Sequence, residues 1–226
     1  MRAYFLSPLG YALFAAVFFF HGYFFYTYNL LGATTDVTQL FGQMFTAALV
    51  IAPVLTMRLL PEERRLETDR QLFSAPVTRG EIVAGKYFSA VAVYAAAISA
   101  VLSGAAILEW HGKPDWPAIA GNYAGLLLAG CALISVCMFI SSFTQSQFVA
   151  ALGGFFAGAM LTLLDAASLR MGGGAVQDIL LAVSFNSRYT PFTMGIFDIG
   201  GAVYFISVAA FFAILTAAVL ERRVTG

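Results

Sequence analysis

The sequence predicts an all-α polytopic membrane protein with six transmembrane helices. Three observations carry this. Of 226 residues, 60% are hydrophobic and 11% charged, whereas a soluble domain is about half apolar and about a quarter charged. Several runs reach the roughly 20 apolar residues needed to cross about 30 Å of hydrocarbon. Lys and Arg also segregate. With the N-terminus inside, Arg2, Arg58, Arg64, Arg65, Arg70, Arg79, Lys86, Arg222 and Arg223 fall on one side, and Lys113, Arg170 and Arg188 on the other. Basic residues concentrate on the cytoplasmic side, so both termini are expected there.

The first span is expected at about 9–31, rich in Phe and Tyr. It is longer than the apolar core of a cleaved signal and lacks a small-residue cleavage site before the next span, so it is expected to stay in the mature protein. The second span is expected at about 40–60. A polar loop, 61–81, separates it from the third, about 82–108. The stretch EWHGKPDWP then places Trp110 and Trp116 at the membrane interface, where aromatic belts form. Spans four and five are expected at about 118–140 and 148–164. A long outer segment, 165–198, precedes the sixth, about 199–220. In that segment Gly172 to Gly174 break the chain. Val176, Ile179, Leu180 and Val183 then recur at i, i+3, i+4 and i+7, the signature of one helix face. A short re-entrant or interfacial helix is expected there. The whole chain, 1–226, reads as a single transmembrane domain.

The polar loop holds the most chemistry. Gly80 to Lys86 spells G-x-x-x-x-G-K, most of a phosphate-binding loop. Such a loop follows a strand and places Ser or Thr after its Lys to hold magnesium. Here Tyr87 follows, a charged stretch precedes and an apolar span continues, so nucleotide binding is not expected. Thr78 and Glu81 instead fit a capping box at the start of span three. Upstream, Pro61 suits a first helical turn, and Glu62 and Glu63 suit its positive end. Arg65 can pair with Asp69, and Glu67 with Arg70. Leu66, Leu72 and Phe73 leave a thin apolar edge before Pro76 breaks the run. A short charged helix results. It is either a solvated loop that only orients the protein or a docking element for a cytoplasmic partner. The docking reading rests on Glu62, Glu63, Arg64, Arg65, Leu66, Glu67, Asp69, Arg70 and Phe73.

Other functions find little support. Zero net charge disfavours a nucleic-acid partner. Cys131 and Cys137 share one apolar run and read as small packing residues. Ion-driven carriers place ionisable groups within their spans. Here Glu109, Asp165 and Asp198 sit at outer ends, Arg58 and Glu221 at inner ones, and His21 alone lies well inside a span. There is no H-E-x-x-H or G-x-S-x-G, and neither a metal site nor a catalytic residue is expected. Gly121 with Gly125, and Gly154 with Gly158, form G-x-x-x-G pairs that permit close helix contact, within one subunit or at a dimer seam.

Four stretches carry a resemblance to a known family. They are SPLGYALFAAVFFFHGYFF, PVLTMRLLPEERR, TDRQLFSAPVTRGEIVAGKYFSA, and FNSRYTPFTMGIFDIGGAVYF with the terminal LERR. In this order they resemble the permease subunits of ABC-2-type transporters, in particular the gliding-motility-associated (GldF-like) group. The likeness covers nearly the whole chain, although Glu67-Thr68 stands where many relatives carry Gly-Thr. It implies an ABC-2 (type V exporter-like) permease fold, with residues 62–76 as a coupling helix seated in an ATPase. It also implies a short N-terminal stretch along the membrane surface and an outer re-entrant helix at about 176–185. No cofactor is expected on this chain, ATP and magnesium being held by the partner. The implied partners are two ABC ATPase subunits and a second permease subunit in a homodimer or heterodimer. Some relatives add a membrane-anchored extracytoplasmic subunit. The implied location is the bacterial cytoplasmic (inner) membrane. The alternatives are a standalone channel or secondary carrier, or a membrane scaffold.

Overall fold

Residues 8–59, 61, 79–168 and 174–225 are described by the computed structural model, and all regular structure among them is helical. Helix α1 (Pro8–Phe25) runs into a π-helical turn, Tyr26–Leu30. Then come α2 (Thr38–Thr56), α3 (Arg79–Ile98), α4 (Ala100–His111), α5 (Trp116–Ser141) and α6 (Gln147–Ser168). Two short helices, α7 (Ala175–Val183) and α8 (Phe185–Thr193), lead to α9 (Ile199–Thr225). Six stretches among the described residues are long and apolar enough to cross a membrane: Gly10–Leu30, Thr38–Thr56, Gly80–Trp110, Trp116–Ser141, Gln147–Ser168 and Ile199–Glu221. The six-span expectation holds, and the chain is a multi-pass membrane protein. The third span is α3 and α4 together, jointed at Ser99, whose hydroxyl donates to the Ala96 carbonyl at 2.6 Å.

Helix α5 is the axis of the fold. It packs on α2, α3, α6, α8 and α9, while α1 lies outside against α2, α3 and α4. Apolar side chains gain little by leaving lipid for a protein interior, so membrane helices associate through close packing of small residues. The sequence supplies these. A Cβ at Gly130 would run into the Tyr94 ring, and one at Gly125 would sit 2.6 Å from Phe192 Cβ. Tyr94 is fully buried, and its hydroxyl donates to the Leu126 carbonyl at 3.2 Å. The glycine face of α6 packs within this chain: a Cβ on Gly154 would meet Cys137 and Pro53, and one on Gly158 would meet Leu133 and Leu49. Cys137 is buried and Cys131 half-buried, and both are free thiols.

Outward faces are equally telling. Phe18, Phe19, Phe148, Phe156, Ile206 and Ile214 are all more than half exposed. Such side chains on three helices would make large apolar patches on a soluble protein, whereas on spanning helices they face lipid. His21 is turned the other way. It is 5% exposed, beside Phe25 and against the bare backbone of Gly104, where a Cβ would lie 2.9 Å from the imidazole. Its Nδ1 has no hydrogen-bond partner among the described residues.

Candidate functional site

The loop residues singled out from sequence, Glu62, Glu63, Arg64, Arg65, Leu66, Glu67, Asp69, Arg70 and Phe73, lie outside the described residues, as does Thr78. The structure does describe the two stems from which this loop leaves and returns. On one side α2 ends at Thr56 and turns through Leu59, whose N–H donates to the Thr56 carbonyl at 3.0 Å. Pro53 sits inside α2, where its missing N–H breaks one helix bond. The Thr56 hydroxyl lies just beyond and donates to the carbonyls of Ala52 (2.9 Å) and Pro53 (3.2 Å). On the other side α3 begins at Arg79 with Glu81 in its first turn, which suits the positive end of the helix dipole.

Lys86 joins the stems. Its Nζ donates to the Leu59 carbonyl at 2.8 Å. An ammonium donor makes this one of the stronger classes of hydrogen bond. Arg58 lies beside it in sequence and has its Nε buried without a partner among the described residues. The lysine of the G-x-x-x-x-G-K stretch is therefore a tie between two spans. Gly80 to Lys86 is one uninterrupted stretch of α3, so past the first turn its N–H groups serve the helix and do not wrap an anion.

The opposite end holds a second built feature. Helices α7 and α8 form a hairpin between α6 and α9, and α8 is fastened on all sides. Ser184 caps it, accepting from the Ser187 N–H at 3.3 Å. Phe185, Tyr189 and Phe192 are buried at i, i+4 and i+7. The Tyr189 ring stacks on Phe45 of α2, with centroids 4.3 Å apart and planes 17° apart, and its hydroxyl donates to the Phe41 carbonyl at 3.2 Å. The Thr193 carbonyl at the end of α8 accepts twice, from the Thr38 hydroxyl (3.2 Å) and from Asn122 Nδ2 (3.3 Å). Asn186 Nδ2 donates to Asp165 of α6, and Tyr204 Oη of α9 donates to the Val183 carbonyl at 2.6 Å. Arg188 lies over the Tyr204 ring at 5.6 Å. Helix α7 differs, since none of its side chains is buried. Val176, Ile179 and Val183 present their apolar face outward.

The turn before α2 belongs to the same cluster. Buried Asn29 donates through Nδ2 to the carbonyls of Thr34 (3.1 Å) and Asp36 (2.9 Å). Asp36 Oδ1 accepts from the Thr38 N–H (2.9 Å) and hydroxyl (2.7 Å). These two bonds hold the Asp36 carboxyl below its ordinary pKa.

With six apolar spans, a tied pair of stems at one end and a pinned hairpin at the other, the comparison with known families is informative. The family described as ABC-2 family transporter protein matches residues 12–220. The chain belongs to that family. A search of curated proteins gave no match. An ABC-2 family protein of this kind is the membrane component of a transporter and is not itself catalytic, and membership implies an ATPase subunit as partner. Among the described residues no group of three or more His, Cys, Asp or Glu is placed to hold a metal ion.

Sequence reasoning placed one outer helix at about 176–185 and missed the second. Helix α8 does carry a legible signal, Phe185, Tyr189 and Phe192 behind the cap Ser184. It is diluted by Asn186, Ser187, Arg188 and Thr190 on the intervening positions and by Pro191 inside the helix. Asn122 was missed as well. It looks like one polar residue in a span, and only the fold brings Thr193 beneath it.

Proposed function

We propose that this ABC-2 family chain is the permease subunit of an ATP-driven exporter, similar to the gliding-motility-associated (GldF-like) group. ATP binding and hydrolysis on a separate ATPase drive movement of a substrate, or mechanical transmission to an extracytoplasmic subunit. Two permease subunits pair, and two ATPases dock beneath them. The docking element is the loop 61–81, with Glu62, Glu63, Arg64, Arg65, Leu66, Glu67, Asp69, Arg70 and Phe73 as the residues that meet the ATPase. Both termini and that loop lie in the cytoplasm of a bacterium, and the spans cross its inner membrane.

The observation that carries this reading is the construction of α2. Its inner extension is tied to α3 through the Leu59 carbonyl and Lys86. Its outer end holds α8 through Thr38, Phe41 and Phe45. One rod thus joins the loop stem to the outer hairpin. A push on the loop shifts the rod, and the hairpin must follow or break its contacts. An ATPase stroke on one face of the membrane would in this way move a gate on the other.

Co-expression with the ATPase encoded nearest to this chain tests the proposal. The two should elute as one complex, and an ATPase-dead partner should lock the outer hairpin in one arrangement. Reversing Glu63 or Arg65, or replacing Leu66→Asp, should uncouple ATP turnover while the spans melt normally. Normal assembly and turnover in all three variants would remove the loop from the mechanism. A permease that elutes alone and transports without ATP would favour a passive channel.

A further inference from the structure

A cavity of about 430 Å³ opens between the end of α6 and the outer hairpin. Asp165 stands in the last turn of α6, Leu181 comes from α7, and Ser187, Thr190 and Pro191 come from α8. Met194 and Ile196 complete it from the turn after α8. Its polar groups are one-sided. The Asp165 carboxylate reaches α8 and accepts there from Asn186 Nδ2 through Oδ2, whereas a carboxylate has about four lone-pair sites. One turn further along α8, the Thr190 hydroxyl commits its proton to the Asn186 carbonyl at 2.8 Å, so toward the cavity it can only accept. Ser187 adds a second hydroxyl. Among the described residues that line the space there is no basic side chain and no aromatic ring.

This lining selects a ligand by its chemistry. A carboxylate beside hydroxyl acceptors matches a primary ammonium, which offers only donors. A quaternary ammonium is recognised by an aromatic cage, which this lining lacks. Calcium takes about six to eight oxygen ligands, and a single carboxylate is far from such a set. A phosphate or carboxylate on the ligand would face Asp165 with no cation in the lining to pair it, and an unpaired charge is costly to bury. That sets a simple amine apart from a zwitterionic lipid headgroup. Leu181, Pro191, Met194 and Ile196 form the wall for an apolar body, and Met side chains adapt to varied shapes.

We propose that this cavity binds a small apolar primary amine, with the ammonium on Asp165 and Thr190 and the apolar body against Leu181 and Met194. The occupant bridges three elements. It packs Leu181 of α7 against α6 and α8, and so restrains a helix that has no buried side chain of its own. Slower opening of α7 is therefore the signature of occupancy, because amide exchange reports local opening.

The test is hydrogen exchange of the α7 amides in the purified full chain, in a nonionic detergent at pH 7, titrated with hexylamine. Hexylamine is protonated at that pH, as a lysine side chain is. It should slow α7 exchange saturably, whereas hexanol and hexanoate should not, and hexyltrimethylammonium should act only at higher concentration. Asp165→Asn keeps an acceptor for Asn186 but removes the charge, and should weaken the hexylamine effect about tenfold or more. Glu109→Gln, an exposed carboxylate at the end of α4 outside the cavity, should respond as the wild type does. Leu181→Trp fills the space, leaves the carboxylate in place and should abolish the response. That variant decides the matter if Asp165→Asn fails to fold. Equal protection by hexanol, an unchanged response in Asp165→Asn or Leu181→Trp, or protection by phosphatidylethanolamine with none by hexylamine would each overturn the proposal. No arm involves an ATPase, so the assay separates this site from the proposed coupling.

Discussion

Tyr189 is the most informative single position, because one side chain there joins the outer hairpin to α2. Tyr189→Phe removes only the hydroxyl. The lost bond, at 3.2 Å to Phe41, is neutral and long, so it should cost about 0.5–1 kcal/mol. Tyr189→Ala removes a ring that is 1% exposed and stacked on Phe45 at 4.3 Å. Deleting a buried aromatic ring costs about 3–5 kcal/mol, of which the ring pair supplies about 0.5–1.5. Opening of α8 should therefore become two to four orders of magnitude more frequent in Tyr189→Ala, at about 1.4 kcal/mol per tenfold, and only a few-fold more frequent in Tyr189→Phe. Hydrogen exchange of the α8 amides reads this directly. Helix α7, with no buried side chain, should exchange fast in every variant and serves as the internal reference. A double cycle with Phe45→Ala should return a coupling of about 1 kcal/mol. If α8 is as protected in Tyr189→Ala as in the wild type, the hairpin is held by something other than this contact, and its link to α2 fails.

Three further outcomes are expected. Gly130→Ala should destabilise the chain by about 1–3 kcal/mol through overpacking against Tyr94. Tyr94→Leu in the same chain should recover part of that, a non-additivity visible in thermal melts. Lys86→Met keeps the side-chain length but loses the ammonium bond to Leu59, an interaction class worth about 1.5–3 kcal/mol. ATP turnover coupled to transport should fall about tenfold or more, alongside a drop of several degrees in melting temperature from the lost bond, and unchanged coupling would show the tie to be incidental. Asp36 gives a pH effect with a definite sign. Its carboxyl pKa is depressed in the folded state by the two Thr38 bonds. Its contribution is therefore fully present above the ordinary carboxylate pKa and is lost as pH falls through the depressed value. Asp36→Asn should lose stability at pH 7 but show a smaller further loss below about pH 4 than the wild type.

Legibility in the sequence divided by the range of the interactions. Spans announce themselves, because bilayer thickness imposes a run length that no other constraint imitates. Helix α7 was legible for a similar reason, since Val176, Ile179 and Val183 have no competing partners to disturb their period. Helix α8 was not. Its partners Phe41, Phe45 and Asn122 lie 71 to 148 residues away in sequence, and a Pro inside the helix argues locally against it. Lys86 was misleading for a related reason. Read locally it only completes the outline of a phosphate-loop motif, whereas its partner is a carbonyl 27 residues earlier. The glycine pairs were recognised as sites of close contact, yet only the fold could say that Gly154 faces Cys137 and Pro53 inside the same chain.

The distribution of fastenings bears on how force would travel. Helix α2 spans about 28 Å over its 19 residues and is held at both ends by polar bonds, while its middle is packed by Phe45, Ala48, Ile51 and Ala52. A rod held this way passes on a displacement only if it does not bend. Its weak point is Pro53, one turn from the inner end, where a backbone bond is missing. The Thr56 hydroxyl braces that turn through Ala52 and Pro53, and Gly154 of α6 comes close enough to Pro53 that an added Cβ would lie 3.4 Å from its ring. Packing on that side opposes a bend toward α6 and leaves motion along the axis less restrained. On this account Thr56→Val, which keeps the volume and removes the brace, should leave ATPase docking intact and weaken only the response of the outer hairpin. If docking and hairpin response fell together, α2 would be an anchor for the loop and the stroke would reach the hairpin by another helix.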